Sequence, residues 1–335
     1  MTVLVTGAAG FIGFHTSLAL LGLGRRVVGL DDLNGYYDVS LKQARLDLLG
    51  GNKDFAFERL DIAERQSIEG LVQRHPDISL VVHLAAQAGV RYSLIDPYAY
   101  TRANVEGHLV LLEACRKLER LEHIVYASSS SVYGANDKLP FSTKDRVDAP
   151  LSLYAATKRS MEMISHAYGH IHGLALTGLR FFTVYGPWGR PDMAAFIFTR
   201  NILAGKPIEV FNHGDMRRDF TYIDDIVAGV LCCLDSPPDT AGGDPPSRLY
   251  NIGNHRSERL MDFIGLIEKA LGMKAEVKFL PMQPGDVKET YADISAIQRD
   301  TGYKPTTPID VGVPKFVEWY REYHAEARNP APAEA

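Results

Sequence analysis

Residues 2–13 of the chain read TVLVTGAAGFIG, and this stretch decides the fold. An apolar, β-branched run ends in the pattern G-x-x-G-x-x-G, formed by Gly7, Gly10 and Gly13, and a helical pattern, FIGFHTSLALLGLG, follows. Glycines at such positions let the backbone turn tightly and approach a pyrophosphate, which the free amides and positive dipole end of the following helix attract. The sequence therefore predicts a strand, a dinucleotide-binding turn and a helix, in that order.

The second strand-like stretch, RRVVGLDDLN, ends in an acidic pair, Asp31 and Asp32. A carboxylate about 20 positions beyond the glycine-rich turn accepts the ribose hydroxyls of a bound dinucleotide. It would also repel a 2′-phosphate, so Asp31 predicts NAD rather than NADP, and Asp32 could share the contact. Asp61 and Ile62 end the third strand-like stretch and could meet the adenine, although Asp61 is also a candidate helix cap.

Strand-like and helical segments alternate along the first half of the chain. The strand-like ones are TVLVTG, RRVVGLDDLN, DFAFERLDI, SLVVHLAA, HIVYASSS and ALTGLRFFTVYG. Strands that alternate with helices imply parallel βαβ units with right-handed crossovers. We therefore predict an α/β protein with a doubly wound parallel (Rossmann) sheet.

The domain organisation follows from a change of composition near Pro187, after which glycine, proline and aromatic residues are frequent. We assign residues 1–185 to an NAD-binding Rossmann domain and residues 186–325 mainly to a smaller, interleaved C-terminal substrate domain. Residues 218–237 include RDFTYIDDIVAGVLCCL, which is typical of a return to the core of the first domain. Residues 326–335 are rich in proline and alanine and are predicted to form a disordered tail.

Composition excludes several classes of function. The net charge of −5 argues against a nucleic-acid partner, which would need a clustered basic face. Cys115, Cys232 and Cys233 are too few for a disulfide framework and indicate a reducing compartment. Without a run of about 18 apolar residues or a basic, signal-like start, we expect a cytoplasmic protein with no membrane partner. The histidines of HAYGHIHG lack adjacent carboxylates or cysteines, so we predict no metal site.

The candidate catalytic residues are Tyr154 and Lys158, spaced i, i+4 in YAATK, together with Ser129 at a strand end in YASSSSVYG. On a helix this spacing places the phenol and the ammonium on one face. A neighbouring ammonium and a cationic nicotinamide ring would lower the pKa of a phenol and prepare it as a base. In isolation such a pair is more often an exposed helix pair, but its position after a dinucleotide-binding turn and a strand-end serine cluster favours catalysis.

Together these motifs resemble the extended short-chain dehydrogenase/reductase superfamily, in its NAD-dependent epimerase/dehydratase branch. The resemblance runs from VTGAAGFIG through HLAAQAGVRYS, YAATK and RRDFTYIDD to QPGDVKETYAD. The combination of HLAAQAGVRYS, SSSSVYG, RFFTVYGPWGRPDMA and VFNHGDMRRDFTYIDDI resembles bacterial UDP-glucuronate 4-epimerases. The resemblance implies bound NAD, a UDP-sugar substrate, and inversion of UDP-glucuronate to UDP-galacturonate at C4 through a transient 4-keto sugar, with NAD recycled.

The resemblance also implies the roles of individual residues. Tyr154 is the base and acid at the C4 hydroxyl, Lys158 tunes it and holds the nicotinamide ribose, and Ser129 replaces a relay hydroxyl that is often threonine in this family. The predicted cofactor-binding residues are Gly7, Gly10, Phe11, Ile12, Gly13, Asp31, Asp32, Asn34, Asp61, Ile62, Leu84, Ala85, Ala86, Tyr154 and Lys158. Asp32 departs from the asparagine that usually follows the ribose aspartate.

The resemblance places a further set of residues around the substrate. The predicted substrate-binding residues are Ser129, Ser130, Ser131, Thr183, Arg190, Phe211, Arg218, Asp286 and Arg91. Of these, Arg218 grips the diphosphate, Phe211 lines the uracil pocket and Asp286 reaches the nucleotide end. Arg91 contacts the substrate or, alternatively, forms a surface salt bridge.

The serine run has a physical use with a uronic acid. A C4 ketone makes the C6 carboxylate a β-keto acid, which loses CO₂ when the breaking bond lies perpendicular to the carbonyl. Ser130, Ser131 and Thr183 would hold that carboxylate in a poor geometry for this loss, whereas simple strand-end hydrogen bonding is the alternative interpretation of the serines. Dehydratase relatives carry an Asp-Glu pair where this chain has serines, so dehydration is disfavoured.

Other functions stay open at this point. A UDP-glucose 4-epimerase or a UDP-glucuronate decarboxylase of the same family would share most of these motifs, and a non-catalytic NAD-binding regulatory protein would share the cofactor site. The long amphipathic segments PYAYTRANVEGHLVLLEACRKL and YAATKRSMEMISHAYGH resemble the helices that pair into a four-helix dimer interface in this superfamily. On that analogy we expect a homodimer.

Overall fold

Strands and helices alternate along most of the chain. The computed structural model describes residues 1–239, 244–283 and 285–328. The strands are β1 Thr2–Thr6, β2 Arg26–Asp31, β3 Phe55–Arg59, β4 Ile78–His83, β5 His123–Ser129, β6 Leu176–Phe181, β7 Thr183–Tyr185, β8 Ile208–Val210, β9 Arg217–Arg218, β10 Phe220–Tyr222, β11 Ser247–Ile252, β12 Glu258–Arg259 and β13 Val277–Phe279. The α-helices are α1 Phe11–Gly22, α2 Val39–Gly50, α3 Arg65–Arg74, α4 Pro97–Tyr100, α5 Gly107–Cys115, α6 Leu153–His172, α7 Ala194–Leu203, α8 Ile223–Leu234, α9 Leu260–Leu271, α10 Ser295–Thr301 and α11 Ile309–Arg328. Short 3₁₀ turns span Tyr92–Leu94, Ser130–Tyr133 and Asn212–Gly214, and a π-helical turn, Thr101–Glu106, joins α4 to α5.

The central sheet has the strand order β11-β6-β5-β4-β1-β2-β3, and its strand pairs are parallel throughout. Every residue of β1 is buried, as expected for a strand covered by helices on both faces of a parallel sheet. The strand order reverses between β1 and β4, where ligands bind in doubly wound folds. The predicted fold class is therefore confirmed, and the candidate site is expected at the carboxyl ends of β1 and β4.

The sequence stretch ALTGLRFFTVYG does not form one strand. The chain leaves the central sheet after β6, and β7 pairs instead with β10 in a separate parallel ladder. Phe182 lies at this junction, and its amide donates to the carbonyl of Ile252, whereas the amide of Thr183 donates to the carbonyl of Asp219. The hydrogen-bond partner thus changes between consecutive residues, which redirects the second half of the predicted strand.

The predicted substrate domain contributes one strand to the central sheet. The edge strand β11 comes from the predicted substrate domain, and α8, within residues 218–237, lies against α1 and β5. The boundaries of the two domains stay a prediction. Helix α11 continues to Arg328, and residues 329–335 of the predicted tail lie outside the described residues. In the part of the chain that the structure describes, no helix is long and apolar enough to cross a membrane.

A buried ion pair fixes α6 against the sheet. The Glu162 carboxylate accepts hydrogen bonds from the Arg180 guanidinium of β6 at 2.8 and 2.9 Å, and both side chains are almost completely buried. Ser128 of β5 donates to the same carboxylate at 2.6 Å. Glu162 lies one turn beyond Lys158 and two turns beyond Tyr154 on one face of α6. The ion pair therefore holds the helix that carries both candidate catalytic residues.

Replacing Glu162 by leucine is expected to lower the free energy of unfolding by about 3–5 kcal/mol, because it leaves the Arg180 charge buried without a partner. Urea denaturation measures this loss. The double variant Glu162→Leu/Arg180→Met is the control and should be more stable than Glu162→Leu, since no unpaired charge remains. Equal losses in the single and double variants would contradict a role for the ion pair.

Candidate active site

A cavity of ≈ 440 Å³ opens at the carboxyl ends of β1, β2, β4 and β5. It brings together most of the residues singled out in the sequence. The predicted residues that line it are Gly7, Gly10, Phe11, Ile12, Gly13, Asp31, Asp32, Asn34, Asp61, Ile62, Leu84, Ala85, Ala86, Ser129, Ser130, Ser131, Tyr154, Lys158, Thr183 and Arg190. The predicted cofactor region and the predicted catalytic residues therefore face one continuous space.

The glycine-rich turn has a geometry that larger residues could not adopt. Gly7 has φ +73°, and a Cβ atom there would lie 2.8 Å from the backbone nitrogen of Ala85. A Cβ atom on Gly13 would lie 2.0 Å from the Gly7 carbonyl oxygen. Helix α1 begins after Gly10, which has no side chain to cap it, so its first amides stay available to an anion. The turn fits the pyrophosphate of a dinucleotide.

Asp31 lies at the end of β2, where its carboxylate is held from both sides. It accepts hydrogen bonds from the amides of Ala9, at 3.2 Å, and Leu33, at 2.9 Å. Burial raises the pKa of Asp31, while the Lys42 ammonium, 3.6 Å from Oδ1, opposes that rise. Lys42 lines the cavity and was not predicted. It comes from α2, and sequence spacing does not connect it to the ribose position.

The Asp61 side chain closes a short turn before α3 and is not the helix cap that was the alternative interpretation, because Glu64 holds the N-cap position of α3. Its Oδ1 atom accepts from the amide of Ala63 at 2.9 Å. Its Oδ2 atom accepts from Nη2 of Arg102 at 2.8 Å, and Arg102 also pairs with Glu64. Asp61 still lines the cavity, so its contact with adenine stays a prediction.

Tyr154 and Lys158 lie in the first turns of α6, which Ser152 caps by accepting from the amide of Ala155. Burial raises the pKa of Tyr154, and its hydrogen bond with Ser129 and the charge of Arg190 lower it in part. Burial lowers the pKa of Lys158 to about 7. The structure therefore brings the predicted phenol, ammonium and hydroxyl together at one end of the cavity.

The serine run forms a compact group of hydroxyls beyond Ser129. The Ser129 hydroxyl donates to that of Ser131 at 3.1 Å and accepts from the Ser131 amide at 3.2 Å. Ser130, Ser131 and Thr183 line both the main cavity and a second cavity of ≈ 150 Å³. These hydroxyls therefore stand between the catalytic end of the main cavity and the second cavity.

Arg218 and Asp286 line the second cavity, where Nη2 of Arg218 lies 2.7 Å from Oδ1 of Asp286. Arg91 and Phe211 contact each other, with the guanidinium carbon 5.0 Å from the ring centroid. A cation–π contact of this kind differs from the surface salt bridge that was the alternative for Arg91. Their contact with a nucleotide stays a prediction.

Arg190 reaches the main cavity already paired with a carboxylate. Its Nε and Nη2 atoms donate to Asp192 at 3.0 and 2.6 Å. The Tyr36 hydroxyl donates to the same carboxylate at 3.1 Å, so Asp192 connects the loop after β2 to Arg190. Asp192 and Tyr36 were missed in the sequence, where the only signal was the presence of Asp192 two residues after the arginine. A bound anion would share Arg190 with Asp192.

The arrangement suits proton transfer beside a redox cofactor. A phenol needs a base or a lowered pKa to accept a proton near neutral pH. Tyr154 has a hydroxyl partner in Ser129, and the Lys158 ammonium donates to the Ala127 carbonyl at 2.8 Å at the end of β5. A substrate alcohol bound against Tyr154 would therefore lie between proton-transfer groups and the dinucleotide end of the cavity.

Comparison with known proteins gives consistent matches over the whole chain. The model of the NAD dependent epimerase/dehydratase family matches residues 3–253. UDP-glucuronate 4-epimerase 4 of Arabidopsis thaliana is 50% identical, over 99% of this chain and 78% of its own length. The crystal structure of the Bacillus cereus UDP-glucuronic acid 4-epimerase with UDP-glucuronic acid and NAD has a TM-score of 0.89 and 37% identity, and covers 96% of this chain and 100% of its own. The crystal structure of the Thermotoga maritima UDP-glucose 4-epimerase with UDP-glucose has a TM-score of 0.86 and 29% identity, and covers 97% and 100%.

Proposed function

Because the chain belongs to the NAD-dependent epimerase/dehydratase family, we propose that it binds NAD and interconverts UDP-glucuronate and UDP-galacturonate by inversion at C4. The observation that carries the proposal is that one cavity is lined by Tyr154, the three serine hydroxyls of Ser129–Ser131, Arg190 and the dinucleotide turn. The relatives from Arabidopsis thaliana and Bacillus cereus act on the same uronic acid by name, which supports the choice of substrate.

The cofactor site is proposed from residues that the fold brings to the switch point. The first amides of α1 would hold the pyrophosphate, and the Asp31 carboxylate would accept hydrogen bonds from the adenosine ribose. Lys42 would face the same ribose, because its ammonium lies beside Asp31 in the lining of the cavity. NAD, when bound, supplies the acceptor and donor of the C4 hydride. The chain itself supplies the binding surface and the movement of the proton.

Tyr154 would take the C4 hydroxyl proton and return it after the sugar has turned over. Burial raises the pKa of Tyr154, so the phenol needs the charge of Lys158 and the hydrogen bond of Ser129 to act near neutral pH. Ser129 stands at the carboxyl end of β5, within hydrogen-bond reach of Tyr154, and would contact the same substrate oxygen. Burial lowers the pKa of Lys158 to about 7, so the amine is only partly charged at neutral pH and would gain charge when negative groups bind beside it.

Ser130, Ser131 and Thr183 would orient the C6 carboxylate. They line both cavities, so they would lie beside the sugar of a substrate whose nucleotide extends toward Arg218. Holding the carboxylate away from the perpendicular geometry protects the 4-keto sugar from loss of CO₂. A neutral sugar has no C6 carboxylate to protect. The three hydroxyls of Ser130, Ser131 and Thr183 therefore favour a uronic acid over UDP-glucose as the substrate.

We further propose a cytoplasmic homodimer. Tyr98 is 82% exposed and Met163 is 61% exposed, although both side chains are large and apolar. They lie on α4 and α6, which contact each other, and Leu94 and Ile95 add further exposed apolar surface nearby. Contiguous apolar surface of this kind is typical of an interface with another chain. The three cysteines are unpaired, which agrees with a reducing compartment.

The proposed activity is tested by incubating the protein with UDP-glucuronate and NAD and separating the products by chromatography. UDP-galacturonate is the expected product, at an equilibrium ratio that is reached from either epimer. Formation of a UDP-pentose alone would identify a decarboxylase, and conversion of UDP-glucose but not of UDP-glucuronate would identify a neutral-sugar epimerase.

Tyr154→Phe should reduce the turnover of UDP-glucuronate in the same assay by about 10²–10⁴-fold, because the variant lacks the phenol that transfers the proton.

Ser129→Ala is expected to reduce kcat/KM more at pH 7 than at pH 9. The hydrogen bond with Ser129 lowers the pKa of Tyr154, so its removal raises that pKa and leaves less phenolate at a given pH. In the NAD-bound enzyme, where the Lys158 ammonium and the nicotinamide ring would bring the pKa of the phenol into the neutral range, the loss should be about tenfold at pH 7 and should shrink once the pH passes that pKa. Ser160→Ala is a matched control, because this hydroxyl on α6 donates only to the Ala156 carbonyl in the described structure. A loss that is uniform across pH would contradict the proposed effect on Tyr154.

Tyr98→Asp and Met163→Asp are expected to convert the dimer to monomers, since each places a charge in the proposed apolar interface. Light scattering coupled to size-exclusion chromatography measures the mass. Leu48→Asp on α2 is the control, because Leu48 is also exposed but lies on a different helix. A wild-type protein that runs as a monomer, or a Leu48→Asp variant that dissociates equally, would rule out this interface.

A further inference from the structure

Arg45 of α2 is completely buried, at 0% exposure, yet all its hydrogen-bond acceptors are uncharged. Nη1 donates to the Ala9 carbonyl at 2.7 Å and to the Tyr37 hydroxyl at 2.8 Å. Nη2 donates to the Trp188 carbonyl at 2.7 Å. Within the part of the chain that the structure describes, Nε of Arg45 has no hydrogen-bond partner. A buried cation of this kind is unusual, because burial of a charge without an ionic partner is unfavourable.

The Ala9 carbonyl belongs to the dinucleotide turn. Ala9 lies between Gly7 and Gly10, and its amide donates to Asp31. The amide of Ala9 is therefore bonded to the Asp31 carboxylate, and its carbonyl is bonded to the Arg45 guanidinium. A pyrophosphate bound at the start of α1 would bring negative charge next to this turn and would offset the buried charge of Arg45.

The Trp188 carbonyl belongs to a strained turn beside the dinucleotide turn. Trp188 has φ +61°, a left-handed conformation that is uncommon for a bulky residue. The turn is closed by a hydrogen bond from the Gly189 amide to the Gly186 carbonyl at 3.1 Å. Arg190 follows directly after it. Strain of about 1–3 kcal/mol at such a residue persists only where its surroundings hold it in place.

A second contact fixes the same turn to α1. The His15 ring hydrogen-bonds to the Pro187 carbonyl at 2.9 Å. Burial lowers the pKa of His15 to about 4, so the ring is neutral near pH 7 and donates its N–H to that carbonyl. The Trp188 ring packs on Phe14 at 5.5 Å between centroids. The turn that precedes Arg190 is therefore attached to the cofactor side of the molecule by α1 and α2.

We propose that Arg45 is a positioning residue that couples the dinucleotide turn to the Trp188 turn, and through it to Arg190. One guanidinium bonds both carbonyls, so a change in the charge or position of the dinucleotide turn is transmitted to the strained turn. Occupation of the cofactor site would then favour the conformation in which Arg190 faces the substrate. The inference rests on the proposed function only in taking the main cavity as a dinucleotide site.

The fluorescence of Trp188 tests this coupling without turnover. The chain contains two tryptophans, Trp188 and Trp319, so Trp319→Phe leaves Trp188 as the sole reporter in the full-length protein. ADP-ribose, which carries the pyrophosphate but no quenching nicotinamide, is titrated into nucleotide-free protein, and calorimetry confirms saturation. We expect a change in Trp188 emission that is about fivefold smaller in Arg45→Met.

Two further variants separate coupling from stability. Leu49→Ala removes a buried side chain from the same helix, so it should lower the melting temperature yet keep the Trp188 response. Arg45→Lys keeps the charge but replaces the planar guanidinium, which bonds the two carbonyls through separate nitrogens, by a single nitrogen on a shorter side chain, so it should bind ADP-ribose within about threefold of the parent and still lose the response. An undiminished response in Arg45→Met or Arg45→Lys at saturating ADP-ribose would overturn the proposal. So would a lost response in Leu49→Ala. Failure of UDP-glucuronate turnover would affect only the proposed substrate.

Discussion

The close approach of α1 to the carbonyl of Gly7 is the steric constraint on which the rest of the site depends. A side chain on Gly13 would occupy the position of that carbonyl, so helix α1 can begin directly at the end of β1 only with glycine there. Because the helix begins at the switch point, its amides face the cavity rather than a capping side chain. In the same turn, the amide of Ala9 donates to Asp31 and its carbonyl accepts from Arg45. The close packing of α1 on Gly7 therefore fixes the positions of the cofactor site, the Asp31 carboxylate and the Arg45 guanidinium.

The electrostatics of the catalytic end oppose catalysis in the protein alone. Burial moves the pKa of Tyr154 up and that of Lys158 down, so it disfavours both the phenolate and the ammonium. A bound anionic substrate favours the ammonium of Lys158, and a cationic nicotinamide ring favours the phenolate of Tyr154. On the proposed function, the ionised pair would therefore form when the cavity is filled. This dependence agrees with an enzyme in which the proton moves only when the hydride acceptor and the sugar are in place.

The sequence predicted those parts of the site that depend on local spacing. The glycines, Asp31 and the Tyr154–Lys158 pair follow directly from the periods of strand and helix. Lys42, Arg45 and Asp192 could not be predicted in this way, because each acts on a residue that only the tertiary fold brings near. The predicted strand ALTGLRFFTVYG has uniform β propensity, and its break at Phe182 depends on partners near residues 219 and 252. The local sequence pattern cannot predict such a change of hydrogen-bond partner, because it depends on residues distant in the chain.

Two buried arginines, Arg180 and Arg45, show different solutions to the same physical problem. Arg180 has its counter-charge within the chain, in Glu162, so its geometry is independent of any ligand, and the helix that carries Tyr154 is held permanently. Arg45 has only carbonyl and hydroxyl acceptors, so its charge is best compensated when an anion lies at the dinucleotide turn. A proton-transfer group needs a fixed position, whereas a substrate-binding arginine gains from responding to the cofactor. The distribution of buried counter-charges therefore separates helix α6, which is held without a ligand, from the dinucleotide and Trp188 turns, whose geometry we propose to depend on the occupancy of the cofactor site.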